Sequence, residues 1–196
     1  LLTVIGPERL LPTILSRVSL IPLRRYSVAE ITGILAANGY QTGTSQDFYA
    51  RFAGGLAGVA MDLAASNWFG DLRTETISLF KDLAVKNRTS LLTAGFQFFD
   101  SNRPHTPAIL DILGSLVRDQ LVFVSSRQPD LLTNQDQLPL LTQGPIVSKP
   151  VSDVMRRLTR AHSALIAARR GLSLNASYEG LVCNLLLNLR KEFQYA

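Results

Sequence analysis

The feature that most constrains this chain is the helical spacing of its apolar residues. Ile109, Ile112, Leu113, Leu116, Val117 and Leu121 fall three or four positions apart, the interval that places side chains on one face of an α-helix. Val151, Val154, Met155, Leu158 and Leu165 repeat the pattern, as do Tyr178, Leu181, Val182, Leu185, Leu189 and Phe193. Such stripes must be buried against one another, so the second half is predicted to be a helical bundle. At 46% hydrophobic and 18% charged, the 196 residues can enclose such a core and do not have the composition of a disordered chain. Cys183 is the only cysteine, which excludes a disulfide scaffold and fits a reducing, cytoplasmic interior. No apolar run reaches the ~18 residues a membrane span needs, so no membrane association is expected.

Local signals place the remaining elements. Ser27-Val28-Ala29-Glu30 has the form of a capping box, with Ile31, Ile34 and Leu35 following at helical intervals and Gly39 as the stop. Thr44-Ser45-Gln46-Asp47 opens a helix carrying Phe48 and Phe52, which Gly54-Gly55 interrupts; small residues resume it over 56–65. A longer helix is predicted over 72–85, with Ile77, Phe80 and Ala84 inward, and the polar cluster 86–90 marks a boundary. Thr106-Pro107 starts another, proline being tolerated at the first helical position. Residues 125–149, rich in Gln, Asn and Pro, read as a long loop with a helical turn, an insertion or a partner contact. Residues 1–5, bounded by Gly6-Pro7, read as a buried strand; 8–16 as a short helical turn; and 18–23 as a second short strand, where Pro22 suggests a sheet edge. The expected fold is therefore mainly α: a short α/β stub at 1–24, a small helical unit at 25–87 and a larger helical bundle at 88–196.

Autonomous catalysis is poorly supported. There is no glycine-rich loop ending in Lys-Ser/Thr to cradle phosphates, no His/Cys cluster at metal-ligand spacing and no Gly-x-Ser-x-Gly elbow. His105 and His162 are isolated, and Asp62 and Asp71 show no partner arrangement. Charge offers a different lead. From residue 151 onward Arg156, Arg157, Arg160, Arg169, Arg170, Arg190 and Lys191 stand against Asp153, Glu179 and Glu192, so most of the net charge of +5 lies in the last quarter. Arg156, Arg157 and Arg160 share about 100° of helix arc. They read either as a solvated face or as a patch for acidic partner residues or nucleic acid.

The most informative stretch runs Leu1-Leu2-Thr3-Val4-Ile5-Gly6-Pro7-Glu8-Arg9-Leu10-Leu11-Pro12-Thr13-Ile14-Leu15-Ser16-Arg17-Val18. It resembles the second half of the AAA+ module of bacterial DNA polymerase III clamp-loader subunits, where a strand leads into P-x-x-L-L-P-T-I-x-S-R-C and then a return strand. Pro7, Leu10, Leu11, Pro12, Thr13, Ile14, Ser16 and Arg17 match; Val18 stands where the cysteine is usual. Phe52-Ala53-Gly54-Gly55 with Ala60-Met61-Asp62-Leu63 resembles the last-helix region of the family's lid. The run Leu165-Ile166-Ala167-Ala168-Arg169-Arg170-Gly171-Leu172 through Ser173-Leu174-Asn175-Ala176 into Tyr178-Glu179-Gly180-Leu181-Val182 resembles its collar. Gly58 occupies the place of the lid's sensor arginine, and Thr3-Val4-Ile5 is a weak sensor-1 strand end. Both departures point to the stationary delta prime type rather than the ATP-hydrolysing subunits.

The resemblance carries expectations. Residues 1–24 would be the end of an AAA+ core, 25–87 a lid and 88–196 an oligomerising collar. Leu1-Leu2 without a methionine would then begin midway through the core, with its first half, and in many relatives a zinc module, ahead of it. Arg17 would act in trans on ATP-Mg held by a neighbouring subunit, with Ser16 positioning the turn; this chain would bind no cofactor itself. Its partners would be the other loader subunits, and through them the sliding clamp and primer-template DNA, with Arg156, Arg157 and Arg160 as possible partner contacts. The alternative is an independent helical DNA-binding or adaptor protein that uses the C-terminal basic face.

Overall fold

A computed structural model describes residues 2–40, 43–143, 148–174 and 177–194. The fold is mainly α, and no strand occurs among the described residues. The helices are α1 (Pro12–Leu15), α2 (Val28–Ala37), α3 (Thr44–Phe52), α4 (Ala57–Ala65), α5 (Phe69–Val85), α6 (Arg88–Ser101), α7 (Thr106–Ser126), α8 (Leu138–Thr142), α9 (Val151–Ser173) and α10 (Tyr178–Phe193).

The two expected strands are the main correction. Residues 2–5 and 18–23 lack strand structure, and Leu2, Ile5, Ile21 and Leu23 are 61%, 92%, 80% and 93% exposed rather than buried. Leu1 lies outside the described residues. Apolar, β-branched sequence supplies only the preference for an extended backbone; a strand forms when its N–H and C=O groups find a partner. Neither segment pairs with another among the described residues. The α/β character expected of residues 1–24 therefore reduces to a 3₁₀ turn at Pro7–Arg9, helix α1 and extended chain.

Helices α2, α3 and α4 form a small unit around Ile31, Leu35, Ala50, Ala53 and Ala60. The capping box forms: the Glu30 amide donates to Ser27 Oγ, and Glu30 Oε2 accepts from the Ser27 amide at 2.8 Å. Gly39 follows the last turn of α2 at φ 82°, and Gly54 and Gly55 turn the chain between α3 and α4 at φ 57° and 89°. These are left-handed conformations that glycine adopts without a Cβ clash.

The larger core is continuous from Phe48 to Phe193. Helix α7 lies against α9 and α5, α9 against α10, and α10 against α6 and α5. The α7 stripe of Ile109, Ile112, Leu113, Leu116 and Val117 is wholly buried, and it faces Val154, Leu158 and Ala161 of α9 within the same cluster. At Gly95 a side chain would meet Leu186: an added Cβ would lie 2.8 Å from its Cδ1. Tyr178 ties the start of α10 to the α6–α7 turn, donating to the Phe99 carbonyl at 2.8 Å and lying 2.7 Å from Thr106 Oγ1. Helix α5, which the polar cluster at 86–90 assigns to the smaller unit, contributes Phe69, Leu72, Leu79, Phe80 and Leu83 to this larger core.

Candidate functional site

The Ser16–Arg17 turn is built by a single helical turn. Pro12 opens α1 with its φ preset and no N–H to satisfy. At the other end the Ser16 amide donates to the Pro12 carbonyl at 3.0 Å, and Ser16 Oγ donates to the Thr13 carbonyl at 3.2 Å. The Arg17 amide donates to the Ile14 carbonyl at 3.0 Å. The backbone at Arg17 is thus fixed while its side chain is exposed. The guanidinium makes no hydrogen bond or ion pair with the described residues. Its neighbours in sequence Leu11, Ile14, Val18, Leu20, Ile21 and Leu23 are also exposed.

Beyond the extended residues 18–23, the chain is next anchored by a short strap at residues 24–26. The Arg24 guanidinium grips the Glu30 carboxylate through two hydrogen bonds of 2.6 and 3.1 Å. Arg25 donates to the Gly54 carbonyl, and the Tyr26 amide to the Gly55 carbonyl at 2.9 Å. The approach is close: a Cβ on Gly55 would lie 2.6 Å from Arg25 Cβ and 3.1 Å from the Tyr26 carbonyl oxygen. The Gly54-Gly55 turn is therefore the dock of the strap as well as a helix break. Hydrogen bonding from Arg24, and then from the Ser27 amide and hydroxyl, holds the Glu30 carboxyl down at about 2. Gly58 lies in the first turn of α4, exposed, with open space where a side chain would stand.

Of the basic residues near the C-terminus, Arg157 and Arg190 are partly buried and bond the chain's own helix ends, whereas Arg156, Arg160, Arg169, Arg170 and Lys191 are exposed. Arg157 Nε donates to Asp153 at 3.2 Å, and its NH1 lies 3.3 Å from the carbonyls of Lys191 and Gln194, capping the end of α10. Arg156 also pairs with Asp153, while Arg160 is exposed. Burial raises the Asp153 pKa, but the hydrogen bonds from Arg156 and Arg157 outweigh it and leave the carboxyl below its ordinary value. Arg169 pairs with Asp111 of α7, and Arg190 Nε donates to the Lys86 carbonyl at 3.2 Å, closing the end of α5. The sequence thus groups Arg156, Arg157 and Arg160 correctly on one helix, but Arg157 faces inward and does not join Arg160 in an open patch.

A polar network that sequence reasoning missed centres on Asp119 of α7, which is wholly buried. Its carboxylate accepts from the Thr133 amide at 3.0 Å, the Asn134 amide at 2.7 Å, Asn134 Nδ2 at 2.9 Å and Arg118 at 3.1 Å. Asn134, also wholly buried, donates to Ser115 Oγ and accepts from Arg73 NH2 at 3.1 Å. Arg73 of α5 forms a two-pronged pair with Asp136, both contacts 2.8 Å, and its guanidinium lies 3.6 Å from the centre of the Phe48 ring. The loop after α7 is seated by these groups. A signal was present, since Asp119 stands three residues after Leu116 on the buried stripe, where an unpaired carboxylate would be costly.

Among the described residues no cluster of His, Cys, Asp and Glu is arranged to hold a metal ion, and no helix is long and apolar enough to cross a membrane. His105 stacks on Trp68, ring centres 4.0 Å apart. No protein-family model matches the chain, and no curated protein matches it.

Proposed function

We propose that this chain is the lid-and-collar portion of a bacterial DNA polymerase III clamp-loader subunit of the delta prime type, with the end of an AAA+ core at its start. The observation that carries the reading is Arg17: a guanidinium without a partner among the described residues, on a backbone tied by Ser16, next in sequence to exposed apolar residues that a surrounding α/β core would cover. An always-charged planar fork matches phosphate oxygens. Presented to ATP-Mg on a neighbouring subunit, it would offset charge that builds on the transferred phosphoryl group. Gly58, lacking a side chain at the sensor position, supports a subunit that assists turnover in a neighbour and hydrolyses nothing itself.

In this reading the bundle is the collar that joins the loader subunits into a ring in the cytoplasm, and sliding clamp and primer-template DNA are engaged through the complex. The finding that Arg157, Arg169 and Arg190 serve the chain's own helices favours subunit assembly over a free DNA-binding face, which is the weaker alternative. The test is assembly. The full protein containing these residues, co-purified with the motor and delta subunits of a bacterial loader, should enter a stoichiometric complex seen by native mass spectrometry. A protein that elutes alone under conditions where the other subunits assemble overturns the proposal.

A further inference from the structure

The loop after α7 lies across the seam where α3 of the small unit, through Phe48, Tyr49 and Phe52, packs on Phe69 of α5. On one side it is seated on the bundle by buried groups, Asp119 and Asn134. On the other it reaches α3 of the small unit: Arg51 NH1 donates to the Asp130 carbonyl at 3.1 Å, and Gln135 Nε2 donates to the same oxygen at 3.0 Å. Arg73 links both sides, bound to Asn134 and Asp136 through its nitrogens and stacked on Phe48 of α3 through its face.

The two attachments differ in kind. The seat on α7 is a fully buried carboxylate with backbone and side-chain donors, whereas the direct polar contact to α3 is the carbonyl of exposed Asp130, and Asp136 reaches that side only through Arg73 of α5. Arg51 Nε and Arg73 Nε, both at this seam, are buried without an acceptor among the described residues. An unsatisfied buried donor favours whatever opening returns it to water. The small unit is itself lightly built, its core being Ile31, Leu35 and three alanines, the kind of body that opens before the rest of a protein does.

We propose that residues 129–137 form a releasable clasp, fixed to α7 and detachable from α3, that sets how the α2–α4 unit is held against the bundle. The strap at Arg24–Tyr26 is bound to that same unit. The clasp stands on packing alone and is independent of the loader reading. An inert loop would predict the same contacts but no selective coupling between them.

Hydrogen exchange read by mass spectrometry on the whole chain separates the two. Asp136→Ala, which releases the Arg73 guanidinium that stacks on Phe48 of α3, should raise exchange across α2–α4 by at least about tenfold, with α7, α9 and α10 unchanged. Arg51→Ala, which touches the clasp from the other side, should do the same. Unchanged exchange in α2–α4 in both variants overturns the proposal, as does exchange that rises equally throughout the bundle. Assembly with loader subunits is not needed for this readout, so failure of the clasp and failure of the proposed function are distinguished.

Discussion

Replacing Asp119 by alanine removes the acceptor for three donors at once: the Thr133 amide, the Asn134 amide and Asn134 Nδ2. A buried donor left without a partner costs roughly 1–3 kcal/mol, so three fully stranded donors would cost up to about 9. The loop can lift from α7 and regain water, which recovers part of that. Arg118, the one charged partner, is half exposed and stays solvated, so the expected net loss is about 3–5 kcal/mol from the stranded amide donors. Urea unfolding followed by helical circular dichroism is the assay. With a slope of about 2–3 kcal/mol per molar, typical of the upper range for small proteins, the midpoint should fall by about 1–2.5 M. Asp119→Asn keeps the shape but turns an amide donor toward other donors, and should fall between wild type and alanine. A midpoint drop below about 0.4 M for Asp119→Ala, equivalent to about 1 kcal/mol, would refute the assignment of this carboxylate as the seat of the loop.

Three further outcomes are expected. Glu30, held down to about 2 by Arg24 and the Ser27 amide and hydroxyl, stabilises the start of α2 above its ordinary pKa of 4.5, and that contribution is lost as pH falls from there toward 2; a carboxyl carbon NMR titration should give a midpoint near 2, and a midpoint near 4.5 would contradict the grip of Arg24. Leu186→Ala, at a wholly buried position against Gly95, should destabilise the bundle by about 2–5 kcal/mol in urea unfolding; a loss under about 1 kcal/mol would mean that α10 does not pack there. Primer-template binding by this chain alone should be weak and vary little with salt, since Arg157 and Arg190 bond helix ends and Arg156 and Arg169 are paired with carboxylates; a steep dependence of log affinity on log salt would favour a DNA-binding face instead.

Much of the helical architecture is legible in the sequence because helices are local. The stripes of α7, α9 and α10, the Ser27–Glu30 capping box and the Gly54-Gly55 break are all found where the residues indicate. Residues 2–5 and 18–23 fail for the opposite reason: a strand is a property of two segments, and composition speaks only for one. The loop after α7 is legible as irregular, but its seat is not, since Asp119 and Asn134 are fifteen positions apart and meet only once α7 is built. Its continuation at 144–147 lies outside the described residues. Arg157 shows the same limit. Helical spacing places it beside Arg156 and Arg160, but whether it faces water or the end of α10 depends on how those two helices cross. At Ser16–Arg17 the motif locates a residue that is exposed and without a partner among the described residues, while the role of that residue rests on the resemblance.

That role is decided most directly by Arg17→Ala in a loader reconstituted with the full protein. DNA-stimulated ATP turnover should fall at least about tenfold, a conservative expectation for an arginine that acts on transferring phosphoryl groups, while the complex still assembles. Arg17→Lys, which keeps the charge and loses the fork, should recover only part of the rate. Turnover equal to wild type in an assembled Arg17→Ala complex would contradict the assignment.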